Sequence, residues 1–431
     1  MRIILGELKK IWTLKIIGII VAISVVFFLL FMRTWVTQYP RGTWFSTVDW
    51  AHHLTELYGA TLEREDFYEF LRYREALVAE LDAAIATNAV FAYAGISNYA
   101  EYEAFVYDFS MRHESLTAEE RNLLYAVLDQ WFTVDGQLIW EGAIRIDRMT
   151  IPSHHRLGLA FSGLQSFDLI IAMYTSGVLR ESGMAQIDMI MQPSINIADG
   201  TIIQRHNQRQ IRRLEEIRDS GELASIIDGE VVHYTAEYGA RLAMLVILAT
   251  LILVAPLIVT DRASKVHWLQ YASRQGRGIF ARQFAAVLIS AVGIATIFIA
   301  IFAGVFSVNG TWVFWNSGIN SFMGIRYYWL SITYGQYVLL MVGIIYLLSL
   351  AAAAFTFVLS RFSQHMVRLV FKLVPFLVAA LIFTNWVLGH FLNVSNGGDA
   401  ATQALMLIAL CVVGLLLSAI VVRTEKWIEL K

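Results

Sequence analysis

Two histidine pairs, His52-His53 and His154-His155, are the first residues in this chain whose types suggest metal chemistry. Neighbouring residues in a helix or strand point to different sides, so neither pair converges on one ion by itself. No H-E-x-x-H and no pair of cysteines accompanies them, and the single cysteine, Cys411, lies inside an apolar run. Hydrogen bonding at a surface or between helices is the reading these histidines favour. Acids are plentiful before residue 237, yet their spacing singles out no pair for acid–base work. There is no G-x-S-x-G elbow and no G-x-x-x-x-G-K-[ST] loop, so the chain carries no P-loop to cradle ATP.

Positive charge is concentrated in two places. The stretch "TDRASKVHWLQYASRQGRGIFARQ" (Thr260–Gln283) sets Arg262, Lys265, Arg274, Arg277 and Arg282 against a single acid, Asp261. The segment Ile202–Asp219 reads as a helix with Ile211, Leu214 and Ile217 on one side. Its Arg205, Arg209, Arg212 and Arg213 form a strip. A solvated face paired with Glu215 and Glu216 is the simpler reading, and contact with an anionic ligand or lipid headgroup is the alternative.

The elements that must position these residues follow from composition. The chain is 57% hydrophobic and 16% charged, more apolar and less charged than a soluble domain. A helix needs roughly 20 apolar residues to cross a bilayer. Six stretches qualify: Ile11–Trp35, Ala240–Thr260, Phe284–Phe306, Tyr337–Ser360, Leu369–Leu392 and Gln403–Val422. The first is too long for a cleaved signal peptide and no A-x-A-like site follows it, so it reads as a retained anchor. Within the spans acids are missing. Only His390 and the edge residues Lys15, Arg33, Arg241 and Lys372 come close, which leaves no relay of the kind ion-coupled carriers use.

Lys and Arg favour the cytoplasmic side. Arg2, Lys9 and Lys10 precede the first span, the basic loop joins spans two and three, Arg361, Arg368 and Lys372 flank the loop after span four, and Arg423, Lys426 and Lys431 follow span six. Both termini are therefore expected inside. Residues 36–237 carry 30 acids and 15 arginines with no lysine, against 5 acids and 18 basic residues elsewhere. They read as a mainly helical extracytoplasmic domain. Thr117 and Glu120 predict a capping box ahead of a helix through Trp131. "SIIDGEVVHY" predicts a hairpin turning at Asp228-Gly229. The aromatic loop Asn309–Leu330 is expected at the outer headgroup region. The small residues of Ser349–Ser360 suit close helix packing, and Pro256 permits a kink.

The expectation is thus an all-α polytopic membrane protein with six transmembrane helices in a 1 + 5 arrangement. Residues 1–10 form a cytoplasmic N-terminal segment, 11–35 the first span, 36–237 the extracytoplasmic domain, 238–422 a five-helix region with its loop at 261–282, and 423–431 a cytoplasmic tail.

Within the basic loop, Val266, Leu269 and Ala272 fall on one helical face with Trp268 and Tyr271 beside them, and Gly276 and Gly278 end the run. This resembles the loop between the second and third spans of ABC-2 type transporter permeases. There an acidic-basic pair precedes an amphipathic coupling helix, a small/polar-basic turn and a basic residue opening span three. Asp261 and Arg262 match the pair, Leu269 to Ala272 the apolar stretch, Ser273 and Arg274 the turn, and Arg282 the basic residue. "MRIILGELKKIW" looks like the family's interfacial helix, and the large insertion after span one also occurs there. Asp261 stands where the family usually has Glu, and no Gly-Thr follows it.

The resemblance implies an exporter permease whose loop docks on a separate P-loop ATPase through Asp261, Arg262, Lys265, Val266, Trp268, Leu269, Arg274 and Arg282. It implies two ATPase copies, which would hold the ATP and Mg, and a second, identical or similar, permease chain. The chain itself would hold no cofactor or metal. Membrane lipids are expected partners and nucleic acid is not. The plasma membrane of a bacterium is the expected location, and an amphipathic, lipid-like or peptide cargo suits spans without buried charge. Two other classes stay open: a signalling or mechanotransmission protein whose outer domain controls an extracytoplasmic partner, and a membrane-anchored enzyme with its site in residues 36–237.

Overall fold

The computed structural model describes residues 2–40, 47–61, 66–87, 91–92, 95–102, 104, 117–119, 133–134, 137–138, 194–195, 202–203, 207–264, 278–321, 323–324, 326–394 and 400–425. Six of its helices are long and apolar enough to cross a membrane: Leu14–Thr37, Gly229–Arg262, Ile279–Ser307, Tyr334–Arg361, Met366–Leu388 and Ala400–Thr424. One lies near the N-terminus and five in the C-terminal half, so the chain is a multi-pass helical membrane protein. Glu120 of the predicted capping box, His154-His155, Arg205 and most of the 36–237 segment fall outside the described residues. Among those described in that segment are helices Thr47–Tyr58 and Asp66–Thr87 and two short antiparallel hairpins, Thr133–Val134 with Gln137–Leu138 and Ser194–Ile195 with Ile202–Ile203.

The second span is the axis of the bundle. Most of its residues are buried, whereas few residues of the first and fifth spans are. Without water around them, membrane helices associate through close packing and interhelical hydrogen bonds, and both are present here. Gly239 lets the fourth span come near, since a Cβ there would lie 2.0 Å from Met341 Sδ. The small-residue run of the fourth span buries Ala351, Ala352, Ala353 and Ala354. Ser349 shares a hydrogen bond with Thr250 at 3.0 Å and donates to the Ala291 carbonyl at 3.1 Å, tying three spans together. Pro256 does interrupt the second span: one helix ends at Val254 and the next begins at Pro256.

Three sequence expectations are corrected. The "SIIDGEVVHY" hairpin is the start of the second span. Asp228 caps it by accepting from the Glu230 N–H at 2.7 Å, and Val231, Val232, Thr235 and Ala236 are buried at helical spacing. An Asp before a helical apolar pattern is a good N-cap, and here tertiary burial decides against the turn. The helix expected over Ile202–Asp219 begins only at Gln208, where Asn207 and Gln210 form a capping box, while Ile202–Ile203 is extended. Finally, the helix of the second span starts at Gly229 rather than Ala240, so it carries Glu230 and Glu237 ahead of the apolar run, which itself holds no acid.

The Asn309–Leu330 loop folds back over the end of the bundle. Phe314, Tyr327 and Tyr328 are buried, and Trp312 and Trp315 are exposed. Asn309 and Asn393, which open glycosylation-like patterns, are both buried.

Candidate functional site

The N-terminal helix, Arg2–Ile11, is short and amphipathic, with Ile4, Leu8 and Ile11 packed against the bundle. It stops at Thr13, whose hydroxyl caps the first span. Glu7 lies on its buried side and Lys10 one turn later. That spacing lets Lys10 Nζ reach Glu7 Oε1 at 2.9 Å. The same ammonium donates to Asp261 Oδ1 at 3.3 Å, across 251 residues of sequence. Gln283, in the second turn of the third span, completes the cluster. Its amide donates to Glu7 Oε2 at 3.1 Å and to Asp261 Oδ2 at 2.9 Å. Trp12 adds a hydrogen bond to Ser290 Oγ at 3.0 Å.

Glu7, Asp261 and Gln283 are buried, and the Lys10 side chain is 44% exposed. Burial alone would lower the Lys10 pKa; the Glu7 hydrogen bond and the Asp261 charge outweigh it, and the pKa rises above its ordinary value. The arrangement holds no reacting geometry. It is a joint, fastening the N-terminal helix to the end of span two and the start of span three.

Asp261 therefore spends its carboxylate inside the chain. Its neighbour Arg262 points elsewhere and donates to the Ser363 carbonyl at 3.3 Å, in the turn between spans four and five. Lys372 reaches the same turn, donating to the Phe362 carbonyl at 2.6 Å. Arg282 is half-buried beside Gln283. Lys265, Val266, Trp268, Leu269 and Arg274 lie outside the described residues, within the stretch 265–277 that the joint brackets. Sequence reasoning used Lys10 only as a topology marker and did not single out Glu7 or Gln283. The available signal was Glu7 itself, an acid three residues before Lys10 in an apolar, basic helix.

A second polar network lies at the opposite, Tyr334 end. Arg213 does not stay on a solvated strip. It is buried, donating to Glu222 Oε2 at 3.2 Å, to Ser331 Oγ at 3.1 Å and to the Tyr328 carbonyl at 3.3 Å, with Glu216 farther off at 3.7 Å. Ser331 and Asn320 each donate to Glu222 at 2.6 Å. Burial pushes the Glu222 carboxyl up, but these hydrogen bonds and the Arg213 charge together hold it below the ordinary carboxylate value. Helix Gln208–Asp219 is thereby locked onto the aromatic loop.

His52 faces Glu56 at 3.5 Å and the Phe314 ring. Among the described residues no three His, Cys, Asp or Glu side chains are grouped to hold a metal. Compared with protein-family models, curated proteins and solved structures, the chain matches none of them.

Proposed function

We propose that this chain is the permease subunit of an ABC-2 type exporter, working with two copies of a separate P-loop ATPase and a second permease chain. The observation that carries the reading is the Lys10–Glu7–Asp261–Gln283 joint at the base of the basic loop. A loop that transmits force must be fastened to the helices it moves. Here the two spans that bracket it and the interfacial helix are tied by charge-assisted hydrogen bonds, those of Gln283 buried and those of Lys10 partly so. Closure of the ATPases on ATP and Mg would push the loop and bias the bundle between two states. Docking would use Val266, Trp268 and Leu269 more than the charges, because interface cores are depleted of charge. In this orientation the Asp261 end, with both termini, faces the cytoplasm of a bacterial cell, and the cargo is amphipathic, lipid-like or a peptide.

The second span supports a related reading. It runs for 34 residues from the Asp228 cap to Arg262 and is largely buried. Such a shaft could carry an ATP-driven signal to residues 36–237 without moving cargo.

The test is a mild-detergent pull-down of the tagged chain beside Leu269→Asp. A P-loop ATPase that co-purifies with the parent and is lost from the variant supports docking. An ATPase absent from both sinks the permease reading. Hydrolysis stimulated by cargo then favours export, and ATP-dependent change in residues 36–237 without transport favours signalling.

A further inference from the structure

We infer that Glu237, Arg241 and Asn385 form a binding site for the headgroup of a zwitterionic phospholipid at the Tyr334 end of the bundle. Depth comes first. Arg241 precedes Asp261 by 20 residues along the second span, a rise of about 30 Å, the thickness of the hydrocarbon core. With Asp261 at one boundary, Arg241 and Glu237 stand at the other, level with headgroups. Asn385, near the end of the fifth span, shares that level.

The chemistry comes next. Arg241 Nη2 donates to Glu237 Oε2 at 3.0 Å and Nη1 to Asn385 Oδ1 at 2.9 Å. A guanidinium has five N–H donors and a carboxylate two acceptor oxygens. Among the described residues, Arg241 Nε, Asn385 Nδ2 and Glu237 Oε1 make no further hydrogen bond. The Glu237 and Arg241 side chains are 13% and 24% exposed, shielded yet reachable. Gly389 lies beside the pair: a Cβ there would be 3.4 Å from both Glu237 Oε1 and Asn385 Oδ1. Two donors and one anionic acceptor side by side complement a phosphate and a primary ammonium. Below them the fifth span offers exposed Ile382 and Val378 and the tilted ring pair Phe383–Trp386, an apolar wall for acyl chains.

An ion pair at a lipid-facing boundary could act solely as a bracket between the second and fifth spans. The bracket alone would not distinguish headgroups; the site does. Phosphatidylethanolamine supplies both charges and N–H donors. Phosphatidylcholine has no N–H, and phosphatidylglycerol has no cation. The inference does not depend on a partner ATPase.

The experiment is native mass spectrometry of the full chain in detergent, titrated with these three lipids carrying identical acyl chains. The first phosphatidylethanolamine is expected to bind about tenfold tighter than either competitor, the worth of one charge-assisted hydrogen bond. Glu237→Gln should abolish that preference. Asn385→Ala, which keeps the ion pair, should weaken phosphatidylethanolamine about threefold. Equal binding of the three lipids by the parent chain overturns the proposal without any variant. So does an unchanged preference in Glu237→Gln, or displacement of the lipid by soluble phosphoethanolamine at equal concentration.

Discussion

At the Tyr334 end one carboxylate, Glu222, is met by Arg213, Ser331 and Asn320; at the Asp261 end two carboxylates, Glu7 and Asp261, share Lys10 and the amide of Gln283. The first network is saturated and its arginine is buried. The second hangs on a lysine that is nearly half in solvent. A buried and satisfied network rigidifies what it joins, and this suits a cap over the bundle. A joint closed by one exposed ammonium can be loosened more cheaply. The difference places stiffness at one end of the second span and the capacity to move at the other, beside the loop proposed to meet the ATPase.

Removing Glu222 should have the largest effect. Glu222→Ala leaves buried Arg213 with only the more distant, exposed Glu216, and thermal unfolding in detergent should show a loss of about 3 kcal/mol. A loss no larger than that of an exposed ion pair would mean that the cap is not the stiffer end. Lys10→Met should cost less, about 1 to 2 kcal/mol, because solvent already screens the ammonium. It should also expose the N-terminal helix to proteolysis. Continued protection of that helix would show that apolar packing, not the joint, holds it.

Acid and base should separate the two ends. The Glu222 pKa is lowered in the folded chain, so its contribution is complete above about 4.5 and is lost as pH falls through the lower folded value. The Lys10 pKa is raised, so its contribution is complete below 10.5 and is lost as pH rises through the higher folded value. Hydrogen exchange at the two ends should therefore respond in opposite pH windows: the cap loosens in acid and the N-terminal helix in alkali. Loosening of both ends in one window would break the comparison. The smallest effect is expected at Tyr337, buried against Phe391 and Tyr328, whose hydroxyl has no hydrogen-bond partner among the described residues. Tyr337→Phe should be neutral or stabilise by up to about 1 kcal/mol in the same unfolding measurement.

Much of the fold was legible because a bilayer allows few solutions. Its core satisfies no backbone polar group, so long apolar runs must be helices. The six runs read from the sequence match the six long helices within a few residues at most ends. The second span is the exception, because Asp228-Gly229 suits a turn and a helix start equally well until burial of Val231 and Val232 chooses. The same kind of ambiguity hid the joint. Nothing local distinguishes Lys10 as a topology signal from Lys10 as the link between Glu7 and Asp261.

By itself, the sequence determined the number of apolar helices, their 1 + 5 spacing, the break at Pro256 and the small-residue face of the fourth span. These depend on local composition and on hydrocarbon thickness, quantities that a short window contains. Only the tertiary structure decided that Arg213 leaves its strip for Glu222, that Asp261 turns toward Lys10 and Gln283, and that Arg241 meets Asn385. The Asp261–Lys10 and Arg241–Asn385 contacts join residues more than a hundred positions apart. A charge near a membrane has many places to go, and which partner it finds is set by the packing of helices that meet only once the chain has folded.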